Sequence, residues 1–288
     1  MQKLEIHSFF EKFIYLLLFF IVSTLNAENF KLKVASYDTL TLYLLTKIEE
    51  IKDENGFSSR RIPRSDLDFQ KIREHLLQID ADILAIQNLR NEAEALNILS
   101  EDYSCFVNKR STQSHRGIGI CWKKNKFPIS NIQIHKADTS PFFFKTQYNQ
   151  ERFVELQIPI GKSYYSFWSV YLYVDKERRT DQLHLLNDLL RKNKNFFVLG
   201  NFNDPLSKRT LSWKTLSEGL LIFNTGRYVK QRCLKNKILT SLILTDLDLK
   251  QKLTPVPFSQ NEEALLEAKE LLESCPVLLD VELQENPL

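Results

Sequence analysis

Short apolar runs of strand type recur along this chain from one end to the other, with few helical stretches between them, and that alternation restricts the fold to packed sheets. KLKVASYDTL (31 to 40) alternates apolar and polar positions and fits a strand ending near Asp38, after which the chain is charged and irregular. SDLDFQKIREHLLQI (65 to 79) opens on a capping Ser65 and places Phe69, Ile72, Leu76 and Ile79 on one helical face. ADILAIQNL (81 to 89) is then a buried strand. YSCFVNK and GIGICWKK flank the polar loop RSTQSHR as a hairpin, and RFVELQI and YYSFWSVYLYV read as two further strands. TDQLHLLNDLLRKN (180 to 193) has helical spacing and feeds NFFVLG. NKILTSLILT (236 to 245) and PVLLDVEL (276 to 283) complete the strands, with NEEALLEAKELLES (261 to 274) a helix or a charged loop between them. Mixed strands, hairpins and intervening helices suit a sheet core with helices outside, an α+β or α/β sandwich.

A chain of 288 residues with 43% hydrophobic content can bury its core as one large domain, the simplest division. A net charge of +3 from 39 basic and 36 acidic residues does not support nucleic acid as the partner. With seven glycines and no Walker or dinucleotide fingerprint, phosphate cradling by a glycine-rich loop is excluded.

The first residues form a leader: Lys3 and Lys12 precede the apolar run FIYLLLFFIVSTL, and LNA ends at Ala27 before Glu28. Residues 1–27 are therefore expected to be a signal peptide cleaved after Ala27, with 28–288 the functional domain. The uninterrupted apolar core from Phe13 to Val22 is short beside the roughly 20 residues a span needs, and an anchor over residues 13–25 is the alternative. Either implies export, periplasmic or secreted. Cys105, Cys121, Cys233 and Cys275 lack metal spacing, so zinc is not indicated. Cys105 and Cys121 lie symmetrically about the hairpin tip and read either as a cross-strand pair or as buried free thiols.

VLGNFNDPLS (198 to 207) ends an apolar run in Asn201, Asn203 and Asp204, a polar strand end of the kind that builds ligand sites. KLKVASYDTL, ADILAIQNLRN, SFWSVYLYV with ERRTDQLHLL, VLGNFNDP, KILTSLILT and SCPVLLDVEL follow one another in an order and spacing similar to those of the endonuclease/exonuclease/phosphatase superfamily. The resemblance implies a deoxyribonuclease I-like fold, a four-layered α/β/β/α sandwich of two stacked mixed sheets. It also implies a site at the strand ends where carboxylates, amides and two histidines surround magnesium and hydrolyse phosphoesters.

Carried over by position, the resemblance implies a degenerate site. Asp38 stands for an Asn. Asn88, after the retained Gln87, stands for a metal-binding Glu, which removes a full negative charge from a cluster that magnesium would need. Tyr171 stands for the first histidine. Asn201 stands for the Asp that helps orient the attacking water, while Asn203 is retained. Thr240 stands for the Asp of the penultimate strand, and Leu272, Glu273 and Ser274 for the closing Ser-Asp-His. A general acid or base is worth about 10²- to 10⁴-fold in rate, so joint loss of these groups implies loss of most hydrolysis.

Each residue also has a structural reading. Gln87 and Asn203 can satisfy backbone groups at strand ends, and Asp204 before Pro205 is a turn pair. His75, His115, His135 and His184 have no paired spacing. Arg152, Arg178 and Arg179 read as solvated charges before phosphate contacts, as do SSRRIPR (58 to 64) and KRSTQSHR (109 to 116). The expected function is an exported domain on a hydrolase scaffold, a pseudoenzyme needing no cofactor, whose partner is a protein or a phosphate-bearing ligand at the old cleft. The alternative is a divergent magnesium-dependent phosphodiesterase or nuclease using Asp38, Asp204 and Glu273, with Tyr171 or His184 assisting.

Overall fold

The uninterrupted apolar runs become central strands, because a strand covered on both faces has no polar side to alternate with. In a computed structural model the described residues are 29–39, 49–52, 58–61, 64–89, 91–108, 117–136, 153–225, 241–249, 254–256 and 275–284. One six-stranded sheet contains β1 (Asn29–Asp38), β4 (Ile83–Leu89), β5 (Tyr103–Asn108), β6 (Gly117–Lys123), β13 (Thr254–Pro255) and β14 (Val277–Gln284), in the order β13-β14-β1-β4-β6-β5. The second contains β7 (Gln133–Lys136), β8 (Phe153–Ile160), β9 (Ser163–Tyr171), β10 (Phe196–Asn201), β11 (Phe223–Asn224) and β12 (Ser241–Thr245), in the order β11-β12-β10-β9-β8-β7. At the centre of each sheet lies one parallel pair, β1 with β4 and β9 with β10, and their neighbours run antiparallel.

The two sheets stack face to face. Leu32, Val34, Ile83, Ile120 and Leu279 of the first meet Leu156, Phe167, Phe197, Leu199 and Ile243 of the second. Phe167 and Phe197 lie parallel with ring centroids 5.2 Å apart. The outer face of the first sheet is covered by α1 (Asp66–Ile79) and α2 (Glu92–Ile98), and that of the second by α3 (Lys176–Leu190) and α4 (Leu211–Ser217). This is the expected four-layered α/β/β/α sandwich.

Local chemistry explains the helix ends. Ser65 accepts from the Asp68 amide while Asp68 accepts from the Ser65 amide, a complete capping box, and Phe69, Ile72, Leu76 and Ile79 bury the face that their spacing predicts. Asp175 caps α3 through the Arg178 amide, so that helix starts four residues before the expected Thr180. The stretch read as irregular after β1 holds a two-stranded sheet of β2 (Glu49–Lys52) and β3 (Ser58–Arg61), whose charged alternation hides strand periodicity. α2 and α4, seven residues each, also go beyond the sequence reading. The hairpin of β5 and β6 places Cys105 opposite Cys121, and the two form a disulfide, which settles the choice left open by spacing. Cys275 is also disulfide-bonded. The expected leader over 1–27, the segment 261–274 and the loop 109–116 lie outside the described residues. No described helix is long and apolar enough to cross a membrane.

Candidate functional site

Strand periodicity turns polar at one end of the sandwich. Along β1 the side chains facing the other sheet are Leu32, Val34, Ser36 and Asp38; along β4 they are Ile83, Ala85 and Gln87. In the second sheet the inward series are Phe167, Ser169 and Tyr171 on β9, and Phe197, Leu199 and Asn201 on β10. Register aligns these ends, pairing Asp38 with Gln87 and Asn201 with Tyr171 on one side and Ser241 on the other. Every one of these polar groups is buried. Because both central pairs are parallel, their carboxyl ends share this pole, the end of an open α/β sheet that ordinarily carries ligands.

Asp38, fully buried, is the hub. One of its oxygens accepts from Asn88 Nδ2 at 2.5 Å and the other from Asn201 Nδ2 at 2.6 Å, the second bond crossing between the sheets. The amides must present nitrogen here, since an amide oxygen at that distance would repel the carboxylate. Asn88 follows the inward Gln87 and would point the other way in a regular strand. A bulge between Gln87 and Leu89 and a left-handed backbone at Asn88 (φ 68°), tolerated by Asn, turn it towards Asp38.

Asn201 Oδ1 accepts from the Asn203 amide at 2.8 Å, closing a short turn in which Asn203 also has a positive φ of 48°. Asn203 Nδ2 donates to the Leu172 carbonyl at 2.7 Å, joining the ends of β9 and β10. Gly200 is required between them, for a Cβ there would lie 1.9 Å from the Val170 oxygen. Ser36 Oγ donates to Gln87 Oε1 at 3.3 Å. Gln87 Nε2 and Ser169 Oγ find no hydrogen-bond partner among the described residues.

The sequence-predicted residues therefore divide. Asp38, Gln87, Asn88, Tyr171, Asn201 and Asn203 converge at one pole. Asp204 does not join them: its oxygens accept from the Leu206 amide and from Ser212 Oγ, and Arg179 stands 3.7 Å away. Arg179 also donates to the carbonyls of Tyr173 and Val174, and Arg178 lies over the Tyr173 ring, so both arginines hold the loop after β9. His184 is exposed on α3, while His75 is buried with Nδ1 3.1 Å from the Tyr37 hydroxyl. Burial pushes the Tyr37 phenol far above its ordinary pKa, against a smaller lowering by Arg64, so Tyr37 stays un-ionised behind the pole. Thr240, Glu273, Ser274, His115 and Arg152 lie outside the described residues. Sequence reasoning passed over Ser36, Ser169 and Ser241; their signal was a serine in the inward register of an otherwise apolar strand.

Magnesium is usually held by one or two carboxylates with free lone pairs aimed at the ion. At this pole the one carboxylate among the described residues is engaged by two amide donors, and no group of three His, Cys, Asp or Glu able to hold a metal occurs among those residues. The described donor set does not fit that ion. A cavity of about 330 Å³ lies at the opposite pole between Lys31, Lys33 and Lys126 and the carboxylates Asp82, Asp280 and Glu282. Several of its charges pair with one another, Lys126 with Asp82 at 2.6 Å and Lys31 with Glu282 at 3.7 Å.

Two stacked six-stranded sheets with helices outside, and polar groups gathered at the carboxyl ends of their central strands, define a deoxyribonuclease I-like sandwich. The sequence matches the Endonuclease/Exonuclease/phosphatase family over residues 25–251, and the chain belongs to that family. An endonuclease/exonuclease/phosphatase family protein from Bacteroides thetaiotaomicron is 12% identical, with a TM-score of 0.61 over 89% of this chain and 99% of that one. ANGEL2, a 2′,3′-cyclic phosphatase solved with adenosine-2′,3′-vanadate, is 15% identical, with a TM-score of 0.61 over 88% and 96%. The catalytic domain of APE2 from Xenopus laevis is 15% identical, with a TM-score of 0.57 over 88% and 94%. At these identities the structures establish the fold alone. No curated protein matches the sequence significantly.

Proposed function

We propose that this family member is a non-hydrolytic binding or scaffold domain that acts outside the cytoplasm. The observation that carries the reading is the state of Asp38: a buried carboxylate whose two oxygens each receive an amide N–H lies where a metal-dependent hydrolase needs open oxygen ligands. Tyr171, packed at the same pole, is 2% exposed and belongs to the core between the sheets, where its phenol stands in place of the imidazole that the resemblance implies. Export is supported by the signal-peptide pattern of residues 1–27, two lysines, an apolar run and Ala27 before Glu28, and by the disulfide of Cys105 with Cys121, a bond that persists in oxidising compartments. The partner we infer is a protein or a phosphate-bearing ligand at the pole formed by β1, β4, β9 and β10.

Calorimetric titration of magnesium and manganese into the purified protein, with parallel assays on plasmid DNA and a generic phosphodiester, tests this. The expected result is neither saturable binding nor turnover. Saturable metal binding with turnover lost in Asp38→Ala would overturn it in favour of a magnesium-dependent phosphodiesterase or nuclease. That second reading is favoured by the family, whose members are typically hydrolases, and by the carboxylate that Asp38 brings to the pole.

A further inference from the structure

At the amino end of β4, opposite the end that carries Gln87 and Asn88, the C-terminal ends of α1 and α2 border a cleft of about 240 Å³. Much of its lining is apolar, from Leu76 and Leu77 of α1, Ile98 and Leu99 at the end of α2, and Tyr103 at the start of β5. Leu77 is 65% exposed, so this apolar surface continues outward at the rim. Pockets that enclose drug-sized ligands begin at about 300 Å³, and the smaller volume here suits a single long side chain.

The charges around the cleft leave one carboxylate over. Asp80 has Lys123 at 2.7 Å and Lys33 at 3.9 Å, and Asp82 has Lys126 at 2.6 Å. Lys123 also donates to the Asp80 carbonyl at 3.1 Å, which answers the end of α1, a helix with no basic residue in its last turn. Arg73 does the same for α2 through the Asn97 carbonyl. Asp102, on the lining, accepts from Ser100 Oγ at 3.3 Å and enters no ion pair among the described residues. The Tyr103 phenol registers the resulting field. Burial raises its pKa first, and Asp80, Asp82 and Asp102 raise it further, as a negative potential must.

We propose that this cleft is a second binding site, which takes a lysine side chain of a partner protein, its aliphatic stem against Leu76, Leu77 and Leu99 and its ammonium on Asp102. Lysine lays an apolar stem along apolar surface and keeps its charged head with a counter-ion or water. An apolar wall ending in one carboxylate without a cation has the same division. The ammonium has three protons to donate, enough for Asp102 and Ser100 Oγ together. A bare amine would gain only an exposed ion pair, which is weak, so the stem supplies the selectivity and the exposed Leu77 extends the contact to residues flanking the lysine. The site lies away from the pole of Asp38 and does not depend on whether that pole hydrolyses.

The test is an NMR titration of the isotope-labelled protein at low salt with an acetylated, amidated pentapeptide, Gly-Leu-Lys-Leu-Gly. Its controls are the same peptide with norleucine or Nε-acetyl-lysine at the centre, and acetyl-lysine amide alone. Saturable shifts are expected at the backbone amides of 76–80 and 98–103. Both neutral peptides should bind at least about 3- to 5-fold more weakly, the worth of an ion pair at a rim. Acetyl-lysine amide should bind at least about 3-fold more weakly, since it lacks the flanking contacts. Asp102→Lys, a change at an exposed position that sets a like charge against the ligand, should weaken the parent peptide by about 10-fold or more. Equal affinity for the neutral peptides, no effect of Asp102→Lys, or no saturable shift at these amides would overturn the site. Equal affinity for acetyl-lysine amide would overturn its assignment to a protein partner. The neutral peptides are measured on the parent protein, so the charge requirement is tested even where the variant does not fold.

Discussion

Gly200 shows how little room the site end of the second sheet allows. Its φ of 155° and the 1.9 Å approach of a Cβ to the Val170 carbonyl mean that Gly200→Ala must push β9 and β10 apart where they carry Tyr171 and Asn201. We expect it to cost about 3 kcal/mol or more, read as a lower urea midpoint. At this scale the sequence told much and withheld one thing. Polar residues closing apolar runs marked Asp38, Gln87, Asn88, Asn201 and Asn203, and the structure brings them together. The directions of their hydrogen bonds were not legible, because they depend on a contact between residues 163 apart and on a bulge that turns Asn88 out of its strand register. The same limit explains Asp204, which shares a turn with Asn203 yet is committed to Ser212 on α4.

Among the elements, those with a strong period were legible and those without one were not. α1 shows both its face and its cap in sequence. Ser65→Ala should lower stability by about 1 kcal/mol with little effect on the rest of the fold, a loss that urea unfolding with helical circular dichroism would detect. The first turn of α3, KERR, carries no apolar residue to set a phase, and β2 and β3 pair Glu49 with Arg61 and Glu50 with Arg60, so charge masks both. A pH dependence belongs to the turn between α3 and β10. Asp246, just after β12, accepts from the amides of Asn195 and Phe196, yet burial holds its pKa above the ordinary carboxylate value despite those bonds. A folded pKa raised above the unfolded one means that its contribution is fullest below the unfolded value and declines as pH rises through the folded one. Urea midpoints measured upward from the ordinary carboxylate range should show that decline in the parent, and Asp246→Asn should flatten it.

Over the whole molecule, the core between the sheets and the covalent tie at one sheet edge act at different places. Phe197 is fully buried and stacked on Phe167 between the sheets, so Phe197→Ala should cost about 3–5 kcal/mol and loosen both sheets together, visible as a single shifted unfolding transition. The disulfide acts locally in the fold and globally in the unfolded chain. It joins β5, the edge strand, to β6 across a sequence separation of 16, and in the folded state those strands are already held by their ladder. Its effect therefore falls on the unfolded ensemble, where closing a loop of that length is worth about 3 kcal/mol in the chain-entropy account. Replacing both Cys105 and Cys121 by Ala should lower stability by about that amount and leave the spectroscopic signature of the fold unchanged. A loss well beyond it would place the effect in the native packing of Cys121, which is fully buried beneath α1 and α2. Removing a thiol of that size from a core leaves a cavity that neighbouring side chains fill only in part. In a Cys275→Ala background, which removes the other disulfide, reduction with dithiothreitol keeps both sulfurs of Cys105 and Cys121 in place and separates the two accounts: the same midpoint shift as on replacing both by Ala assigns the stability to the cross-link.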